Sequence, residues 1–148
     1  MTISRPLTII ESPFSDRNGR TEAQNLLYLR DCLRDSWLRG ELPFASHGFF
    51  PLFLHESDPE ERKLGIEAGF AFWDFVTSQR VEIDPGRFAG LRASGWPLIT
   101  FYCDWGMSNG MKDAYDRAIA LNREIEIRHI LSVGEAPPSP QLNKEALR

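Results

Sequence analysis

An apolar run that stops at an acid, turns on glycine and enters a helix constrains this chain more than any other feature. Pro97-Leu98-Ile99-Thr100-Phe101-Tyr102 has the length and composition of a buried strand. Asp104 follows, and Gly106, Ser108, Asn109 and Gly110 make a turn. Met111 to Leu121 then predicts a helix with Ala114, Ala118 and Leu121 on one face. Strand, turn and helix in that order build an open α/β sheet, where ligands sit at the carboxyl ends of the strands. Backbone N–H groups at the start of such a helix favour an anion. The segment therefore points to a phosphorylated or otherwise polar small molecule.

The same unit occurs near the N-terminus. Leu7 to Ile10 predicts a strand ending at Glu11, followed by Ser12-Pro13-Phe14 and a polar loop. A helix over about 21–39 keeps Leu26, Leu29, Leu33 and Trp37 on one face, with Thr21 as N-cap and Gly40 at the C-cap. Leu42 to His47 predicts a short strand running into a loop. Ser57 or Asp58 caps a helix starting at Pro59 or Glu60. That helix carries Leu64, Ala68, Ala71, Phe72 and Phe75, and its Gly65, Ala68 and Gly69 suggest close packing on a sheet. Val81-Glu82-Ile83 fits an edge strand within a poorly patterned stretch, 78–95. A last strand spans 124–130. The alternation predicts one α/β domain over 1–133: a Rossmann-like three-layer sandwich with a mostly parallel sheet of four or five strands. Residues 134–148, with Pro137, Pro138 and Pro140, predict a disordered or draped tail.

Composition narrows the function. With 148 residues, 42% of them hydrophobic, the chain can build one real core. A net charge of −4 gives no support for bulk nucleic-acid or anionic-membrane binding. No apolar run approaches the ~20 residues that span a bilayer, and no secretory signal core is present. Cys32 and Cys103 form no metal-ligand spacing, so no metal is expected and reduced thiols in a cytoplasmic protein are.

Glu11-Ser12-Pro13-Phe14 resembles the Gly-Pro-Phe-type loop of the nucleoside 2-deoxyribosyltransferase superfamily. Trp105-x-x-Ser108-x-Gly110-Met111-x-Asp113 is similar to that superfamily's turn-and-helix motif. Taken with Pro43-Phe44-Ala45-Ser46-His47 and Pro59-Glu60-Glu61-Arg62-x-x-Gly65, the order is closer to small phage and bacterial domains related to those transferases. The resemblance covers about 7–130 and implies a Rossmann-like fold. It also implies nucleoside or nucleotide ligands, no cofactor or metal, and a homo-oligomer with sites near subunit contacts. It implies a carboxylate attacking the anomeric carbon of a sugar to displace the base. The chain carries Asp113 where those enzymes carry Glu; a shifted register would put Gly110 or Lys112 there instead.

The expected function is an N-glycosidase or deoxyribosyltransferase acting on nucleosides or nucleotides, with Asp113 or Glu11 as the catalytic carboxylate. The alternative is a non-catalytic nucleotide-binding module that senses or sequesters its ligand, possible in a phage setting. Each candidate residue also has a plainer role. Asp113 could be a first-turn acid favouring the helix dipole, and Glu11 a loop acid binding local N–H groups. Ser108, Asn109, Gly110 and Met111 could cradle a phosphate or sugar, or form an ordinary cap and turn. Ser12, Pro13 and Phe14 form the first loop, where Phe14 could stack on a base or join the core. His47 could donate to a phosphate or move a proton near neutral pH, or be structural. Asn25 could reach the ligand from the first helix, and Asp104 could bind the ligand or brace the Gly106 turn.

Overall fold

The computed structural model describes residues 2–3, 5–15, 19–79, 82–83 and 96–131. Six strands form among these residues: β1 (Thr2–Ile3), β2 (Leu7–Glu11), β3 (Leu42–Phe44), β4 (Glu82–Ile83), β5 (Leu98–Tyr102) and β6 (Ile125–Arg128). The helices are α1 (Glu22–Leu38), α2 (Pro59–Thr77) and α3 (Asn109–Ala120), with two single 3-10 turns, Ser46–Gly48 and Phe50–Leu52. The main sheet is all parallel, in the order β3-β2-β5-β6. The predicted α/β class holds, with four strands. The expected edge strand near Val81 differs: Glu82–Ile83 pairs with Thr2–Ile3 in a separate two-stranded ribbon, and Val81 itself lies outside the described residues, as does the tail, 134–148.

Alternation along the central strands sorts the core into two layers. Ile9, Ile99 and Phe101 face Trp73 of α2 and Met111, Ala114 and Ala118 of α3. Ile10 and Tyr102 face Tyr28, Leu29 and Cys32 of α1. Every residue of β5 is buried, as expected for a parallel strand covered on both faces. Helix ends follow local chemistry. Thr21 and Gln24 make a reciprocal capping box, and the Asp58 side chain accepts from the N–H groups of Glu60 and Glu61.

The predicted helix faces are rotated in part. Leu26 and Trp37 are exposed, and α1 instead buries Asn25, Tyr28, Leu29, Cys32 and Ser36. Three of these five have polar tips with hydrogen-bond partners, so hydrophobicity alone points to the wrong stripe. Leu64, Phe72 and Phe75 of α2 are exposed while Trp73 and Thr77 are buried, and Leu121 lies past α3, also exposed. The two 3-10 turns and α2 gather Phe49, Phe50, Phe53, Phe72 and Phe75 into a chain of ring contacts on the outside. Among the described residues no helix is long and apolar enough to cross a membrane.

Candidate functional site

The strand order sets where a ligand can sit. From β2 the chain crosses by α1 to one side, at β3. It later returns to the other side of β2, at β5. Between β2 and β5 the connections therefore diverge, and a crevice opens at the carboxyl ends of these two strands. A cavity of about 550 Å³ occupies that crevice. One wall is the end of β2, with Glu11, Ser12, Phe14 and Ser15. A second is the turn after β3, with Ser46, His47, Phe50 and Pro51. The third is the start of α3, with Met107 to Met111 and Asp113. Helix α2 closes the fourth side with Arg62, Gly65, Ile66, Gly69, Phe70 and Trp73.

Nine of the sequence-predicted residues meet here: Glu11, Ser12, Phe14, His47, Ser108, Asn109, Gly110, Met111 and Asp113. Their roles divide. Asn109 and Gly110 are the exposed first residues of α3. Ser108 is the N-cap, its hydroxyl accepting from the Met111 N–H at 3.3 Å, so that oxygen already serves the helix. Met111 is buried core reaching the cavity floor. Asp113 lies in the second turn of α3 and is exposed; no acid stands in the first turn. The expectation of a first-turn acid is thus corrected, and a dipole role weakens because that effect fades beyond the first turn.

Three predicted residues stand apart from the cavity. Pro13 is buried behind the loop. Asn25, fully buried, donates its amide hydrogens to the carbonyls of Phe14 and Ser15 at 3.0 and 2.9 Å. It fixes the loop that presents Glu11 and Ser12. Asp104 accepts from the Tyr28 hydroxyl at 2.5 Å and from the N–H groups of Ile130 and Leu131 at 3.1 and 2.9 Å. It ties β5 to the segment after β6 on the α1 side of the sheet.

Electrostatics distinguish the groups that remain. Burial pushes the Glu11 carboxyl up to about 8, only partly offset by the neighbouring Trp73 indole. Glu11 is therefore mostly protonated at neutral pH. The Trp73 indole N–H lies beside it but closes no hydrogen bond of normal geometry, and Trp73 is only 2% exposed. Burial pushes His47 down to about 4, so its ring is neutral near pH 7, which favours its structural reading over proton transfer. His47 Nε2 lies 2.8 Å from the Ser12 hydroxyl, which fixes that side chain against the β2 end. Arg62 is the single Lys or Arg among the described residues lining the cavity, and it pairs with Glu56 at 3.3 Å.

The sequence analysis does not place Trp73 at the site, although it lines the cavity. A signal was present: Gly65, Gly69 and Trp73 recur at four-residue spacing, one face of a helix. At Gly69 an added Cβ would come to 3.6 Å from the Ser46 hydroxyl. The two glycines give that face a low wall, and the indole forms its end. Gly106, at φ +76°, makes the left-handed turn from β5 toward α3.

Among the described residues, no cluster of three His, Cys, Asp or Glu side chains is placed to hold a metal ion. No curated protein and no solved structure shows a significant match to the chain. A family model does match residues 6–81, from the start of β2 past the end of α2. Three of the four cavity walls carry residues from that stretch, including Glu11, His47 and Trp73. Because the match spans just over half of the sequence, the chain belongs to the family described as domain of unknown function DUF7768.

Proposed function

We propose that the cavity binds a nucleoside and breaks its N-glycosidic bond, by hydrolysis or by transfer of the sugar to another base. One observation carries this reading: two of the carboxyl groups that line the switch-point cavity differ in burial. Glu11 is partly buried and holds its proton; Asp113 is exposed on α3. Such a split supplies an acid and a nucleophile in one site. In the proposed step the Asp113 carboxylate attacks the anomeric carbon, forming a C–O bond as the C–N bond breaks. The Glu11 proton passes to the departing base. Water or a second base then displaces Asp113 from the sugar, and its proton returns to Glu11.

Charge favours an uncharged nucleoside over a nucleotide. Arg62 is already paired with Glu56, and Asp113 stands on the same helix as the Asn109 and Gly110 N–H groups that a phosphate would need. A phosphate there would meet an unbalanced negative charge. The test is chromatography of released base from nucleosides, with Glu11→Gln and Asp113→Asn. Each variant should lower the rate at least ~100-fold, within the range for removing a general acid or a nucleophile. If both variants release base at the wild-type rate, the assignment is wrong.

A binding module without turnover is the second reading, favoured by the shorter Asp113 side chain in the second turn of α3. A nucleoside that raises the melting temperature but survives overnight incubation would select it. The exposed rings of Phe49, Phe53, Phe72 and Phe75 support assembly with a second copy of the chain, checked by its mass in solution. Free nucleosides and the free thiols Cys32 and Cys103 both suit a cytoplasmic setting.

A further inference from the structure

We infer that α2 is the seam of a two-fold dimer, packed antiparallel against α2 of a second copy of the chain. The inference gives the assembly suggested by the exposed rings a surface, a direction and a symmetry. It stands whether or not the cavity cleaves a nucleoside, because the pairing face lies away from the cavity.

The face is defined by spacing. Leu64, Ala68, Ala71 and Phe75 follow one another at steps of four, three and four, so they share one stripe of α2. Trp73 and Thr77 are buried and fix the opposite face on the sheet, while Gly65 and Gly69 turn toward the cavity. The stripe therefore points outward. Leu64 and Phe75 are more than half exposed, Ala71 is exposed, and Phe72 beside them is exposed too. Folded proteins seldom leave so continuous an apolar stripe bare.

Shape and charge both select a second α2 running the other way. Two crossing helices diverge from their point of closest approach, so small side chains suit the middle and large ones the ends. The stripe reads large, small, small, large, and it reads the same in reverse. An antiparallel copy sets Ala68 against the partner's Ala71 and Leu64 against the partner's Phe75. Along the α3 flank of the stripe the charges alternate. Lys63 and Glu67 come first. Arg117 of α3 follows, its guanidinium carbon 4.3 Å from the centre of the Phe70 ring, and it donates to Asp74 at 3.0 Å. The order is plus, minus, plus, minus, and all four side chains are exposed. Against an antiparallel copy each charge meets its opposite: Lys63 the partner's Asp74, and Glu67 the partner's Arg117. A parallel copy would set each beside its own kind, which disfavours that arrangement.

The experiment reads mass by analytical ultracentrifugation and direction by cross-linking. The wild-type chain should sediment at twice its 16.9 kDa. Ala71→Arg puts a long charged side chain at the crossing and should weaken the dimer at least ~30-fold. Its circular dichroism should match the wild type, because the position is exposed. Lys63→Glu sets like charges together and should weaken the dimer about threefold, an effect that high salt removes. For direction, Ala68→Cys and Ala71→Cys are made separately, mixed and allowed to exchange subunits. Under mild oxidation the mixture should cross-link well beyond either variant alone and beyond the wild type, whose Cys32 and Cys103 set the background. A monomer at every concentration reached overturns the inference, as does cross-linking confined to like variants. A dimer that Ala71→Arg leaves intact removes this seam and keeps assembly through another face. A dimer at this seam that releases no base from any nucleoside keeps the inference and removes the enzyme reading; a monomer that releases base does the reverse.

Discussion

The two faces of the sheet treat buried ionisable groups in different ways. On the α1 side an ion pair anchors a closed network, beside which the Thr100 hydroxyl and the Trp105 indole N–H stay unpaired among the described residues. Arg128, about 5% exposed, donates to both Glu41 oxygens at 2.6 and 2.8 Å and to the Tyr102 hydroxyl at 3.2 Å. Tyr102 donates in turn to Asp35 at 2.7 Å, and Ser36 donates to Glu41 at 2.6 Å. Burial alone would lower the Arg128 pKa, but its bonds to Glu41 and Glu126 outweigh that and raise it. On the α2 and α3 side the buried ionisable groups have no charged partner among the described residues. Glu11 is pushed up and His47 is pushed down, each mainly by burial. A closed ionic network braces a fold, whereas shifted groups around a cavity point to a ligand.

The largest expected effect breaks the closed network. Arg128→Met should leave Glu41 buried without its partner and cost about 3–5 kcal/mol in denaturant unfolding. Adding Glu41→Leu should recover much of that loss. If the single variant costs under about 1 kcal/mol, this network does not brace the fold and the contrast fails.

A middle-sized effect comes from Glu11 and shows as a pH profile. Below pH 6.5 an unfolded His47 takes up a proton that the native ring refuses until about pH 4, so stability rises with pH across that window. From about 4.5 to about 8 the native Glu11 keeps a proton that the unfolded chain loses, so stability falls as pH rises. The two slopes oppose each other up to pH 6.5 and Glu11 acts alone above it. Unfolding free energy should drop by no more than about 2 kcal/mol between pH 6.5 and 8, and Glu11→Gln should abolish that drop. The same drop in the variant would assign it to another group.

The smallest effect sharpens the contrast from the cavity side. Gly69→Ala places its Cβ in ordinary contact with Ser46 and suits the helix interior, so stability should rise by about 0.5–1 kcal/mol. The methyl also intrudes on the cavity wall, so nucleoside binding should weaken. A variant that gains stability and binds as before would move the ligand away from α2.

Part of the site was legible from sequence and part was not. Glu11 directly follows an apolar run, and Ser108 and Asp113 follow another across the turn into a helix; the residues past buried strands reach the carboxyl edge of a parallel sheet by construction. Asn25 and Asp104 carry the same polar chemistry, yet the structure uses them to hold the Phe14–Ser15 loop and to tie β5 to Ile130 and Leu131. Nothing local distinguishes a polar side chain that faces a ligand from one that faces another strand. The α1 face shows the same limit. Tyr28, Cys32 and Ser36 lie inward while Leu26 and Trp37 lie outward, because Asp104, far along the chain, and Glu41, just past the end of α1, satisfy the polar tips of Tyr28 and Ser36.

The sequence by itself determined the alternation of strands and helices, the cap at Thr21, a cap at Ser57 or Asp58, and the parallel class of the sheet. These follow from periodicity and from hydrogen bonds made within a few residues. Only the tertiary structure decided the strand order, and with it the crevice between β2 and β5. It alone brought Trp73 beside Glu11, more than sixty residues apart in the chain. Burial is a property of what surrounds a group in space, so the shift of Glu11 appears only when α2 closes over the end of β2.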